Sequence, residues 1–331
     1  MYSKYFKIKQ EPFSTTPDPQ FLYRSAMHQE ALERLIASVS MRRGINAIIA
    51  EPGLGKSTLI RMMLSGLQDS VNFAWVFNTT MEAADLLKFI ARDFGFTPKS
   101  EQKSELLLEL YSFFIQEHED GHIPLLIIDE AQNLCAEALE EIRQLSNLET
   151  VNRKLVQIIL SGQPQLNAML QKPELQQLNQ RISLKAALGR FELQDTRAYI
   201  RHRLSVVGVQ DELFTDGAYK NIQDISGGIP RLINQVCDNA LLLASKAKTQ
   251  PIDGLMIHDL LEKGAVMNAP APTVVQPVEP EQDSKPEPKP VRKPVKRVSK
   301  PASQPSLRSR VIHDKHDLFE AIDISELISV I

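Results

Sequence analysis

Residues 50–58 read Ala-Glu-Pro-Gly-Leu-Gly-Lys-Ser-Thr, a glycine-rich loop that follows an apolar run and precedes a helical pattern. The spacing fits the phosphate-binding loop, except that Ala50 stands where the motif has its first glycine. Glycines let backbone N–H groups curl around a polyphosphate, and a helix N-terminus attracts its negative charge. We expect Lys56 to reach the β- and γ-phosphates and Ser57 to offer a hydroxyl to Mg²⁺. The predicted nucleotide-binding residues are Glu51, Pro52, Gly53, Leu54, Gly55, Lys56, Ser57 and Thr58; the alternative is a turn that holds no ligand.

A second motif consists of two acids directly after the apolar run at 125–128. In nucleotide hydrolases, an acid in the place of Asp129 holds the Mg²⁺ ion, and the next one, here Glu130, orients and polarises the attacking water. The alternative is a buried strand that ends in two solvated acids. The phosphate loop upstream favours the first interpretation, which predicts Mg²⁺-dependent hydrolysis of ATP.

The order of apolar and helical patterns predicts the fold. Four continuous apolar runs alternate with helical patterns, at 45–50, 73–77, 125–128 and 155–160. Such runs are typical of strands buried on both faces, and therefore of a parallel sheet between helical layers. After residue 195 only helical patterns are evident, at 196–206, 216–225, 231–246 and 257–263. We predict an α/β domain at 1–194 and a small helical domain at 195–269.

The C-terminal part has a different composition. Half of the 20 prolines lie between Pro270 and Pro305, and this stretch has too few apolar residues to form a core. We predict a disordered Pro/Lys-rich linker at 270–311 and a short amphipathic helix at 312–331. The basic part of the linker is consistent with contact to anionic lipid or DNA, or with a solvated spacer.

Charge and cysteine content exclude several classes of protein. The 331-residue chain has a net charge of −3 and a pI near 6.2, which argues against a generally basic nucleic-acid binder. Two widely separated cysteines argue against a disulfide scaffold and a cysteine-based zinc site. The sequence has no apolar run long enough to span a bilayer, and its first residues do not predict a signal peptide. The expected location is the cytoplasm, with peripheral attachment to the inner membrane left open.

Several further motifs, taken in order, resemble one family. They are EPFS at 11–14, TPDP at 16–19, DEAQ at 129–132, LSGQPQL at 160–166, QRI at 180–182, YIRHRL at 199–204, SGGIPR at 226–231 and INQVCD at 233–238. Together they resemble the AAA+ ATPases of the general secretion pathway component A (ExeA-like) group and their MshM-type pilus relatives. The resemblance covers residues 1–265 and implies a P-loop AAA+ fold with a helical lid. Many members continue into a transmembrane helix and a peptidoglycan-binding domain, which we expect this chain to lack.

The resemblance also implies roles for three polar residues. Gln163 matches the sensor-1 position, which contacts the γ-phosphate or the water, and Arg231 matches the sensor-2 arginine of the lid. Arg181 is a candidate arginine finger that would reach the ATP of a neighbouring subunit, although Arg190 or Lys185 could serve instead. The alternatives, without a role in binding or catalysis, are an ordinary glutamine at the end of a strand and arginines on the surface.

The resemblance implies an ATPase that drives or switches the assembly of a bacterial cell-envelope machine, such as a secretion system, a pilus or a polysaccharide exporter. We expect a homo-oligomer formed through the ATP interface, and a protein partner at the membrane bound through the linker and terminal helix. The runner-up is a DNA-associated AAA+ ATPase resembling transposition regulators, which the net acidic residues 1–269 disfavour. A nucleotide-dependent scaffold without hydrolysis is a third possibility, which the Asp129–Glu130 pair disfavours.

Overall fold

The protein is described here by a computed structural model. It describes residues 2–14, 19–21, 23–67, 70–77, 79, 81–100, 102–151, 153–264 and 270. Apart from Pro270, the predicted linker at 270–311 and the terminal helix at 312–331 lie outside the described residues. No helix in the described ranges combines the length and the apolarity needed to cross a membrane.

A five-stranded parallel sheet forms the centre of the α/β part, in the order β2-β3-β4-β1-β5. The predicted parallel sheet is therefore confirmed, and so are its four predicted strands, with small differences at their ends. The strands are β1 (Ile45–Ile49), β2 (Val71–Val76), β3 (Ile123–Ile128), β4 (Gln157–Gly162) and β5 (Ile182–Ala187).

The fifth strand was not predicted, and its residue pattern explains why. Strand β5 lies at the edge of the sheet, and its residues alternate between buried and accessible positions. Ser183 and Lys185 interrupt its apolar residues, whereas the four predicted strands carry longer apolar runs. A search for continuous apolar runs therefore misses this edge strand.

Helices cover both faces of the sheet, so the predicted three-layer arrangement is confirmed. The α-helices among the described residues up to 179 are α1 (Tyr2–Phe6), α2 (Ala26–Ser40), α3 (Lys56–Gly66), α4 (Ala83–Asp93), α5 (Lys103–Glu119), α6 (Ala136–Leu145), α7 (Pro164–Leu170) and α8 (Gln176–Asn179). Alternate residues of β1 point into separate cores: Ala47 and Ile49 pack with α4 to α7, whereas Ile48 packs with α2 and α3.

The last four helices of the described residues form the predicted helical unit around a core of their own. They are α9 (Leu193–Val206), α10 (Asp216–Ser226), α11 (Pro230–Ala247) and α12 (Gly254–Glu262). The N-terminal segment also packs into this core, through Tyr2, Ile8, Phe13 and Phe21. Residues before α2 thus contact the helical unit, although the predicted division at 194/195 groups them with the α/β domain.

Candidate functional site

The phosphate loop connects β1 to α3 and has the backbone that its sequence predicts. Gly53 and Gly55 have φ angles of 85° and 94°, which glycine adopts without strain. Ala50, by contrast, is not among the residues with positive φ, and its side chain is fully buried. Its N–H donates to Gly162 O of β4 at 3.1 Å. An alanine therefore fits at the position where the motif usually has its first glycine.

Lys56 is the first residue of α3. Its side chain is nearly enclosed, and Nζ donates to Ala50 O at 3.1 Å. Burial lowers the pKa of Lys56, while the carboxylates of Glu130 and Asp129 act in the opposite direction. A buried ammonium with one carbonyl partner is well placed to bind a polyphosphate, which would supply the missing countercharge.

Ser57 of α3 and Asp129 meet at the carboxyl end of β3. Ser57 Oγ donates to Asp129 Oδ2 at 3.0 Å, and Ser161 Oγ donates to Asp129 Oδ1 at 2.8 Å. These hydroxyl and carboxylate oxygens are the hard ligands that Mg²⁺ prefers. The donor set thus fits the predicted metal-binding pair of Ser57 and Asp129.

Two glutamine side chains hold the carboxylate of Glu130. Gln132 Nε2 and Gln163 Nε2 donate to Glu130 Oε2 at 2.6 Å and 2.9 Å. Gln163 follows β4, which lies beside β3, the strand that Asp129 follows. Burial alone would raise the pKa of Glu130, but the bonds from Gln132 and Gln163 and the charge of Lys56 lower it overall. Glu130 is therefore an oriented carboxylate that stays ionised at neutral pH.

Gln132 was not predicted as a site residue, although it belongs to the DEAQ motif at 129–132. Its Oε1 also accepts the N–H of Gln163 at 3.0 Å, so the Gln132 amide connects the backbone of Gln163 to the Glu130 carboxylate. Glu130 itself has φ of 50° and ψ of 42°, a left-handed conformation that is uncommon for residues other than glycine. The backbone and both amides together fix the direction of this side chain.

The helical unit closes the site from the side opposite to the sheet. Arg231 N donates to Gly53 O at 3.4 Å, and a Cβ added to Gly53 would lie 2.9 Å from Arg231 Cβ. The Arg231 guanidinium has no hydrogen bond or ion pair with any described residue. A cavity of about 490 Å³ separates the two parts. Its walls are Ser14, Phe21, Tyr23, His28, residues 52–58, Glu130, Phe191, Tyr199, Arg203, Pro230, Arg231 and Asn234.

Four predicted site residues do not line this cavity: Glu51, Asp129, Gln163 and Arg181. Asp129 and Gln163 bond to residues that do, namely Ser57 and Glu130. The Glu51 carboxylate pairs with Arg190, at 3.1 Å to Nε and 2.5 Å to Nη2, so a contact of Glu51 with phosphate would come from its backbone. Arg181 is exposed and directly precedes β5, whose first residue pairs with Ile45 at the start of β1. Since the phosphate loop follows the other end of β1, Arg181 lies about a strand's length away, roughly 16 Å.

Comparisons with known proteins agree with this geometry. A family model described as an AAA domain matches residues 39–170. General secretion pathway protein A of Aeromonas hydrophila is 38% identical over 249 residues, which cover 74% of this chain. The chain belongs to the ExeA-like group of AAA+ proteins. It spans 45% of the length of that relative.

Solved structures show the same AAA+ fold at low sequence identity. The ORC2 protein of Aeropyrum pernix, in its ADPNP-ADP complexes, superposes with a TM-score of 0.59 at 19% identity, covering 77% of this chain and 72% of that one. Cdc6p of Pyrobaculum aerophilum gives a TM-score of 0.57 at 15% identity, covering 74% and 68%. These likenesses concern the fold.

His28 supports the phosphate loop of this AAA+ chain and was not predicted to do so. Its Nε2 lies 2.9 Å from Leu54 O, which can only accept, so Nε2 carries the proton. Nδ1 is then the acceptor for Ser25 Oγ at 2.8 Å. Burial lowers the pKa of His28, although the Leu54 carbonyl and the Asp195 charge raise it. An isolated histidine in the sequence gives no signal of this contact.

Replacing His28 by Phe should lower the free energy of unfolding by about 1–3 kcal/mol, because the ring loses both hydrogen bonds. It should also remove a pH dependence. With its folded pKa below the unfolded value of about 6.5, His28 makes the wild-type chain less stable as the pH falls below about 6.5, where the unfolded state binds more protons. Urea unfolding at about pH 7.5 and 5.5 measures both effects. His258, which is exposed on α12, provides the control as His258→Phe; equal pH dependence in His28→Phe and the wild type would contradict the prediction.

Proposed function

We propose that this chain binds ATP with Mg²⁺, hydrolyses the ATP, and uses the cycle to drive or switch the assembly of a bacterial cell-envelope machine. The observation that carries the catalytic part is the Glu130 carboxylate, which Gln132 and Gln163 orient beside Lys56, Ser57 and Asp129. A site that only bound nucleotide would not need an ionised carboxylate aimed into the cavity.

In this proposal, the loop at 51–58 binds the phosphates and the residues of the helical unit cover them. The N–H groups at the start of α3 point toward the anion, and Lys56 exchanges its bond to Ala50 for bonds to the phosphates. The guanidinium of Arg231 adds a second positive charge from the lid, as expected of a sensor-2 arginine. Nucleotide binding would thus draw α11 against the phosphate loop.

Ser57 and Asp129 would hold Mg²⁺, which neutralises phosphate charge when bound. Glu130 accepts a proton from the attacking water and orients the water so that a lone pair of its oxygen faces the γ-phosphate. Gln163 keeps this carboxylate in place through its side-chain amide, which supports its assignment to the sensor-1 position.

The cellular role rests on the relative, whose name places it in a general secretion pathway. Secretion systems, pili and polysaccharide exporters are all envelope machines, and we propose one of these as the setting. The linker at 270–311 and the segment 312–331 would recruit a partner at the inner membrane. Arg181 lies too far from the phosphate loop of its own chain, which supports a role as a finger toward a second copy in a homo-oligomer.

Turnover measurements on the full chain test this function. We expect basal ATP hydrolysis that rises several-fold with vesicles of phosphatidylglycerol and phosphatidylethanolamine, and not with duplex DNA. Deleting residues 312–331 should leave the basal rate unchanged and reduce the stimulation. Lys56→Ala serves as the inactive control. Stimulation by DNA alone would contradict the envelope role and support the DNA-associated alternative, and the absence of any turnover would contradict the proposed activity.

A further inference from the structure

We infer that Asn234 donates a hydrogen bond from its side-chain amide to a ring nitrogen of the purine base, and that Tyr199 and Arg203 fix the direction of this amide. The inference rests on the proposed binding of ATP and adds a residue that recognises the base. Asn234 lies on α11 and lines the cavity, although only 6% of it is exposed.

The hydrogen-bond donors determine the orientation of the amide. A guanidinium can only donate, so Arg203 Nη1, at 2.7 Å from the Tyr199 hydroxyl, makes that oxygen an acceptor. The Tyr199 proton is then free to point to Asn234 Oδ1, 2.8 Å away. With its oxygen occupied in this way, the Asn234 amide must present its NH₂ group elsewhere.

This NH₂ group has no hydrogen-bond partner among the described residues. Its nitrogen is not among the described polar atoms that are both fully buried and without a partner, so the NH₂ group is open to the cavity. Asn234 borders the cavity between the lid and the phosphate loop, so a ligand in this cavity can satisfy the donor. The NH₂ group of Asn234 is thus oriented to donate to an acceptor of a bound ligand.

Its place along α11 selects the base rather than the phosphates. Arg231, which contacts Gly53, comes three residues earlier on the same helix, so Asn234 lies about 4.5 Å farther from the phosphate loop along the axis. The cavity wall contains several aromatic rings, which suit a flat heterocycle: Phe21, Tyr23, Phe191 and Tyr199. A purine offers acceptors at N1, N3 and N7.

The N-terminal segment holds the other end of this chain of hydrogen bonds. Arg203 donates from Nε to Pro12 O at 2.5 Å and from Nη2 to Ser14 O at 3.1 Å. Its guanidinium also lies over the Phe21 ring, 4.8 Å from the centroid. Because Arg203 is fixed from several sides, Tyr199 and Asn234 are positioned before any ligand arrives.

Calorimetry with ATP and its 1-deaza, 3-deaza and 7-deaza analogues tests the inference on the wild-type chain. One analogue should bind about tenfold more weakly than ATP, as expected when one hydrogen bond of about 1.4 kcal/mol is lost. Asn234→Leu should bind ATP about tenfold more weakly and show no further loss with that analogue. Tyr199→Phe should discriminate less between ATP and that analogue, because the Asn234 amide can then flip and present its oxygen to the base.

Asn239→Leu provides the matched control, since Asn239 lies on the same helix but not on the cavity. It should bind all four nucleotides like the wild type. If the wild type binds ATP and all three analogues equally, or if Asn234→Leu keeps the full discrimination, Asn234 does not contact the ring. The analogue series on the wild type decides the matter even if a variant fails to fold. A wild-type chain that binds no ATP would instead contradict the proposed function itself.

Discussion

Replacing Glu130 by Gln should leave the affinity for ATP within about twofold of the wild type and lower steady-state turnover by at least about 100-fold. The glutamine oxygen can still accept from Gln132 and Gln163, so the geometry of the site is retained. An amide, however, is too weak a base to accept the proton of the attacking water. Binding isotherms and a phosphate-release assay separate the two effects.

Glu137→Gln is the control for this variant, because Glu137 is an exposed acid in the first turn of α6. It should match the wild type in both assays. A depressed pKa also keeps Glu130 ionised above about pH 5, so its titration should not limit wild-type turnover between about pH 5 and 8. Undiminished turnover by Glu130→Gln would remove Glu130 from the catalytic role.

Replacing Lys56 by Ala should abolish measurable ATP binding and hydrolysis without lowering the melting temperature of the nucleotide-free chain by more than a few degrees. Burial of the Lys56 ammonium destabilises the folded state in the absence of phosphate, as its lowered pKa indicates. Removing the ammonium therefore removes this destabilisation. In the wild type, ATP at about 100 times Kd should add about 2.7 kcal/mol of stability. The variant should not respond to ATP.

Thermal unfolding with and without Mg-ATP measures both parts of this prediction. Lys172→Ala is the matched control, since Lys172 is an exposed lysine two residues after the end of α7. It should respond to ATP like the wild type. A nucleotide-dependent rise in the melting temperature of Lys56→Ala would show that the lysine is not needed for binding.

The sequence predicts best those features that depend on residues adjacent in the chain. The loop at 50–58 and the Asp129–Glu130 pair are local patterns with a fixed chemical meaning, and the structure brings them together as expected. Strand β5 is missed because Ser183 and Lys185 interrupt its apolar residues, so it has no continuous apolar run. Gln132 stands two residues from Glu130, but a glutamine alone does not indicate which way its amide points.

The remaining features depend on contacts between distant residues, which one sequence does not reveal. His28 reaches Leu54 only after α2 has packed beside the phosphate loop. Arg190 could be a finger by sequence, yet in the structure it pairs with Glu51. Asn234 looks like any polar helix residue until Tyr199 and Arg203 are placed around it.

The packing of the N-terminal segment into the helical unit has a consequence for the order of events during synthesis. Pro12 and its partner Arg203 are 191 residues apart, so the first apolar side chains leave the ribosome long before their partners exist. At about 5–20 residues per second, the delay is roughly 10–40 s. The sheet and its helices can form in the meantime, whereas Phe13 and Phe21 remain without their native core. The cavity wall that Phe21, Tyr199 and Arg203 form is therefore completed only after the helices α9 to α12 have emerged, and we expect a nascent chain to bind nucleotide only from that point.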